Sequence, residues 1–132
     1  RSAVHDLYLD LDDAAPQIHV RNWWDFSSVN KLREKLYGEW EGMHGTPSEI
    51  AITQSVTRVV SSSAGPPKAI STQYIYDHSG DFHAPASEHI REFPDGRVGS
   101  HSELARPEHG DEFIEVAAVA VSAEFSEFVA IS

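Results

Sequence analysis

The residues able to do chemistry are concentrated in one stretch, Trp40-Glu41-Gly42-Met43-His44-Gly45-Thr46-Pro47-Ser48-Glu49, which runs into the apolar segment Ile50-Ala51-Ile52. An indole, an imidazole and two carboxylates on a glycine-bearing turn could hold a planar ligand and move a proton. Histidine suits the second task because its ordinary pKa lies nearest neutrality. Thr46-x-x-Glu49 has the spacing of a capping box, and Pro47 fits the first helical position. The turn is therefore predicted to end at a helix start, with His44 two residues before the cap. The positive end of that helix disfavours an imidazolium, which suits His44 as a base. The same residues also describe an ordinary, well-capped helix start with a loop histidine.

Each further candidate has two readings. Glu49 is a metal ligand or the carboxylate of the capping box, and the two roles are compatible. Trp24 and Trp40 are walls for a planar or cationic ligand, or they pack in a core or an oligomer interface. Trp23 falls to the core, because neighbouring strand residues face opposite sides. His78, His83 and His89 with Asp77 and Asp81 could hold zinc. Their gaps match no compact ligand motif, and the segment reads as a surface loop.

These side chains must be positioned by a modest number of elements. Val4, Leu7, Tyr8 and Leu11 recur at helical spacing over residues 2–11. Residues 17–24 alternate like a strand ending in aromatics. Ser27 or Ser28 could cap a helix bearing Val29, Leu32 and Leu36, which Gly38 would stop. A helix is expected from Pro47 to about Val59, a loop over 61–67, and a short strand over 70–76. Pro94-Asp95-Gly96 signals a turn. Pro107 opens the longest helix, with Ile114, Ala117, Val121, Phe125 and Phe128 as its expected buried stripe. Helices alternating with strands indicate an α/β layer, although one confident strand is too few for a complete sheet.

Composition narrows the partners. The 132 residues suit one domain or part of one, with 40% hydrophobic and 23% charged residues. Ten basic against 21 acidic residues give a formal net charge of −11, which argues against nucleic acid or an anionic membrane as partner. There is no cysteine, so disulfides and thiolate metal sites are excluded. The opening residues lack an apolar leader segment, and no apolar run approaches the ~20 residues of a membrane span, so the cytoplasm is the expected compartment. The chain opens on Arg1 inside an expected helix, and further polypeptide is expected to precede it. No Gly-x-Ser-x-Gly elbow occurs, which leaves no sign of a serine hydrolase.

Three segments together resemble the creatininase family. Asn22-Trp23-Trp24-Asp25-Phe26 is similar to the family's strand-end Trp-Trp-Asp segment. Trp40-Glu41-Gly42-Met43-His44-Gly45 with Glu49 is similar to its Trp-Asp-x-x-His-Gly-Gly-x-x-Glu-Thr segment. Pro94 to Ser100, then Leu104-Ala105-Arg106-Pro107-Glu108-His109-Gly110, is similar to its closing Gly-x-x-Gly-Asp-Pro and Leu-Ala-Thr-x-Glu-x-Gly run before the final helix.

The resemblance implies that residues 1–132 are the C-terminal half of a single three-layer α/β/α sandwich with a mainly parallel sheet. It implies hexamers, two divalent metal ions (Zn, Mn or Fe), and hydrolysis of a non-peptide amide C–N bond in a small cyclic or planar substrate. His44 would be the proton shuttle, Trp24 and Trp40 would pack on the ligand, Glu41 would lie beside the substrate, and Glu49 would join the metal shell. Met43 stands where creatinine-hydrolysing members carry a glutamate. The family's Glu-x-His…Asp metal motif and Asn-Gly-His turn have no counterpart here, so the metals would be held mainly by an N-terminal half or a partner chain. The alternative is a non-catalytic binding or assembly subunit without metals.

Overall fold

The computed structural model describes residues 2–61, 63–77 and 85–131; His78, Asp81 and His83 of the histidine-rich segment lie outside them. Among the described residues the chain is helical and contains no strand. This corrects the expected α/β/α sandwich with its parallel sheet. The helices are α1 (Ser2–Leu11), α2 (Ser27–Tyr37), α3 (Pro47–Val56), α4 (Gln73–Asp77), α5 (Ala86–Glu92) and α6 (Pro107–Ile131). Single 3₁₀ turns occupy Asp12–Ala14, Trp23–Asp25, Gly38–Trp40 and Ser102–Leu104. No helix among the described residues is long and apolar enough to cross a membrane.

The two expected strands fail for identifiable reasons. A strand needs a ladder partner for its backbone groups. Over residues 17–24 two of the amides bond to side chains instead. The Ile18 amide donates to the Tyr8 hydroxyl at 3.1 Å, and the Asn22 amide donates to Asp25 Oδ2 at 2.8 Å. The second bond belongs to an Asn22–Asp25 capping box that winds Trp23–Asp25 into a 3₁₀ turn. Residues 73–77 form α4, supported by a Gln73–Asp77 side-chain bond of 2.8 Å across one helical turn. Their aromatic and β-branched content suits a strand, but Ile75 alone is buried.

Helix ends follow local chemistry. Phe26, not Ser27 or Ser28, stands at the N-cap of α2, and Gly38 closes the helix at φ 52°. Thr46 and Glu49 form the expected capping box of α3, with Pro47 in its first turn. α3 stops at Val56, short of Val59. The hydroxyls of Thr53, Ser55 and Thr57 all bond back to helix carbonyls, which competes with regular winding.

The core is built where α2, α3 and α6 meet. Val29, Tyr37 and Phe113 are buried at its centre, with Trp23, Phe26, Leu36 and Ile52 packed around them. The inward face of α6 runs through the buried Gly110 and Phe113 and the half-buried Ala117, Ala120 and Phe128. Of the expected buried stripe, Ala117 and Phe128 are half-buried, and Ile114, Val121 and Phe125 are exposed.

α3 and α6 approach closely because Gly110 has no side chain. A Cβ there would lie 2.2 Å from the Ala51 carbonyl oxygen and 2.6 Å from its carbon. Alanine improves helix propensity by about 1 kcal/mol over glycine. Pushing a methyl into packed backbone costs about 1–3 kcal/mol. Backbone cannot rotate aside as a side chain does, so the clash wins. Gly110→Ala is expected to lower stability by up to about 2 kcal/mol, read from the urea midpoint; a raised midpoint would disprove the close contact.

Candidate functional site

The Trp40–Glu49 turn is organised from beneath by a buried charge. Asn30, Arg33 and Tyr37 share the inward face of α2. Arg33 Nε donates to Glu41 Oε1 at 2.7 Å, and the Ser48 hydroxyl donates to the same oxygen. Glu41 is wholly buried (0% exposed), and Arg33 is 7% exposed. Arg33 Nη1 also donates to Asn30 Oδ1 at 2.9 Å and to the Ile75 carbonyl, and its guanidinium lies 5.8 Å from the Trp23 ring centre. Glu41 Oε2 has no hydrogen-bond partner among the described residues.

Burial pushes the Glu41 carboxyl above the usual carboxylate range, against the opposing pull of Arg33 and Ser48. Between the ordinary carboxylate pKa of about 4.3 and that raised value, the native state holds more protons than the unfolded state. The stability contributed by the raised pKa is thus fully present below the ordinary value and is lost as pH rises through the folded value. Glu41→Gln has no such proton. The gap in Tm between wild type and Glu41→Gln should narrow from about pH 4 to pH 8. A gap constant over that range would contradict the assignment.

Backbone bonds from distant segments hold the turn above this charge. The Trp40 carbonyl accepts from the His101 amide at 3.0 Å, and the Met43 amide donates to the Val98 carbonyl at 3.2 Å. The Ile70 amide donates to the Glu39 carbonyl at 3.2 Å, and the Ser102 hydroxyl donates to the Gly45 carbonyl at 2.8 Å. Gly42 adopts φ 70° directly against Ser100. On this frame Trp40 is half-buried with its ring edge-on to His101 at 6.0 Å, and His44 is exposed.

The sequence candidates thus divide. Trp40, Glu41, His44 and Glu49 share one turn; Glu41 is buried, Trp40 and Glu49 are half-buried, and His44 is exposed. Glu41 is committed to Arg33 and Ser48. Glu49 accepts from the Thr46 amide at 3.0 Å and the Thr46 hydroxyl at 3.2 Å. Trp24 stands edge-on to Trp23 at 5.6 Å, and Trp23 packs against Phe113 at 6.0 Å. Among the described residues no ring contact joins Trp24 to Trp40. No group of three or more histidine, aspartate or glutamate side chains converges among them either. With Glu41 buried against Arg33 and no such group converging, the described residues do not by themselves fit a metal centre, although the capping bonds of Glu49 use Oε2 alone.

No family model and no curated protein matches this chain.

Arg33, Ser48 and His101 are the parts that the sequence reading missed. Arg33 could have been found, because it lies one turn after Val29 on the apolar face of α2, where a charge requires a buried partner. His101 carries no such local mark: its place beside Trp40 depends on a bond between residues far apart in the chain. The arrangement can present an imidazole and an indole from a fixed turn, which suits proton transfer to a planar ligand.

Proposed function

We propose that this chain supplies the proton-transferring, ligand-facing side of a metal-dependent amidohydrolase of the creatininase type. The enzyme cleaves the C–N bond of a small cyclic or planar amide, works in the cytoplasm and assembles as a homo-oligomer. Its divalent metals (Zn, Mn or Fe) are held by residues beyond those described. The observation that supports this most is the exposed His44 on a turn braced by the capping box of α3, by residues 98–102 and by the buried Glu41–Arg33 pair. In this reading His44 delivers a proton to the departing nitrogen, and Trp40 lies along the plane of the amide. A fixed donor matters because general acid catalysis needs hydrogen-bond reach to the reacting atom.

The test is metal analysis and amide turnover, with creatinine and small lactams as substrates, on the complete gene product that contains these residues. Bound divalent metal and hydrolysis are expected. His44→Ala should lower kcat about a hundredfold with metal content unchanged. Full turnover in His44→Ala would remove the assignment. A second reading, a non-catalytic binding or assembly subunit, draws support from Glu41, which is committed to Arg33 and Ser48 rather than to a ligand. Purified protein that binds an amide, quenches indole fluorescence and takes up no metal would favour it.

A further inference from the structure

Helix α6 is apolar on two faces, and the core uses one of them. The other runs through Ile114, Ala118, Val121, Phe125 and Val129, at spacings of four, three, four and four. At 3.6 residues per turn these positions fall within an arc of about 80°, and they extend about 22 Å along the axis. All five are exposed, Phe125 at 63%, Val129 at 53%, Val121 at 46% and Ile114 at 40%. The four–three–four spacing from Ile114 to Phe125 is that of a helix-pairing seam.

A hollow of about 470 Å³ opens beside this seam, between α6 and residues 17–26. Its walls include Ile18, Phe26, Val121, Phe125 and Phe128, with the Arg21–Glu124 ion pair at the edge. The charged side chains that α6 itself brings to the seam are all acidic. α6 carries Glu108, Asp111, Glu112, Glu115, Glu124 and Glu127 and no lysine or arginine. Asp111 and Glu115 flank one side of the seam; Glu124, on the other, is paired with Arg21.

Length and charge choose the occupant. A stripe of about 22 Å suits a helix better than a small molecule, which would fill the hollow alone. A second copy would bring carboxylates against carboxylates, in a chain of net charge −11. An anionic membrane calls for lysine and arginine around the apolar face, the opposite of this one. We propose that α6 docks an amphipathic helix of a partner protein, with an apolar seam flanked by lysine or arginine and one bulky apolar side chain seated in the hollow.

The test uses the full chain and a fluorescein-labelled synthetic helix of about five turns, with a leucine seam and lysine flanks. Controls are the same seam with glutamate flanks and a scrambled peptide of equal lysine and leucine content. Binding is read by fluorescence anisotropy at low and moderate salt, and self-association by sedimentation. The lysine-flanked helix should bind at least tenfold more tightly than either control, and more weakly as salt rises. Phe125→Ser and Val121→Asp, both at exposed positions, should each weaken it at least tenfold with the circular dichroism spectrum unchanged. Equal binding of the scrambled peptide, or undiminished binding to both variants, would mean general attraction to an acidic surface and overturn the proposal. So would dimers abolished by Phe125→Ser, which would make a second copy the occupant, or failure of the lysine-flanked helix to bind.

Discussion

Arg33→Ala should destabilise the protein by about 3–5 kcal/mol, because it leaves the fully buried Glu41 carboxylate without its cation. The lost attraction is the smaller part of this. The larger part is the cost of keeping an unpaired charge away from water. That origin gives the loss a pH signature. Acid protonates Glu41, whose pKa burial already raises, so the penalty should shrink as pH falls toward the ordinary carboxylate value. A second variant separates pairing from packing. In Arg33→Met with Glu41→Leu no charge is stranded, and such exchanges of a buried pair for apolar residues are often neutral or better. Much of the stability should return in this double variant, and its pH dependence should flatten. Urea titrations at about pH 5 and pH 8 give all three comparisons. If the single variant lost under about 1 kcal/mol, the pair would be energetically idle.

Gly42→Ala is expected to be nearly as damaging, for a steric reason. At φ 70° a residue with a Cβ is strained by about 1–2 kcal/mol. The new methyl would also meet the Ser100 amide nitrogen at 2.3 Å and its Cα at 2.6 Å. Overpacking of this kind costs about 1–3 kcal/mol more. Rotation of Ser100 Oγ relieves only one of these contacts, since the others are backbone. The expected total is about 2–5 kcal/mol, with residues 40–43 displaced from 98–101. Gly45→Ala provides the control. It has a similar φ of 60° but nothing within 4 Å of its Cβ position, so it should lose only the strain. Thermal denaturation of the two variants side by side decides between strain and contact, and equal losses would remove the contact.

Much of the helical architecture was legible, because helix signals are local. α1 matches its apolar spacing, Gly38 ends α2, and the Thr46–Glu49 box starts α3. The strands were not, because a strand is defined by a partner that a single stretch cannot specify. Residues 17–24 alternate in polarity, yet Tyr8 and Asp25 side chains take backbone groups that a neighbouring strand would otherwise take. The stripe on α6 failed for a different reason. The helix is apolar on two faces, so periodicity pointed to Ile114, Val121 and Phe125, whereas Gly110 lets α3 in on the other side and buries Phe113. At the candidate site the turn and its cap were readable from consecutive residues. The Arg33 partner of Glu41 and the His101 neighbour of Trp40 come from other parts of the fold and were not.

The bonds that hold the turn tie Glu39 to Ile70, Met43 to Val98 and Trp40 to His101. Each closes a long loop, and long loops close late, after the entropy of the intervening chain has been overcome. The segment bearing His44 therefore takes its native shape only when residues 70 and 98–101 have reached it, as the packing of α2 on α6 also waits on distant chain. Local helix formation alone leaves the turn unfinished, and amide exchange at Met43 and His101 is expected to report the long-range contacts rather than the helix content.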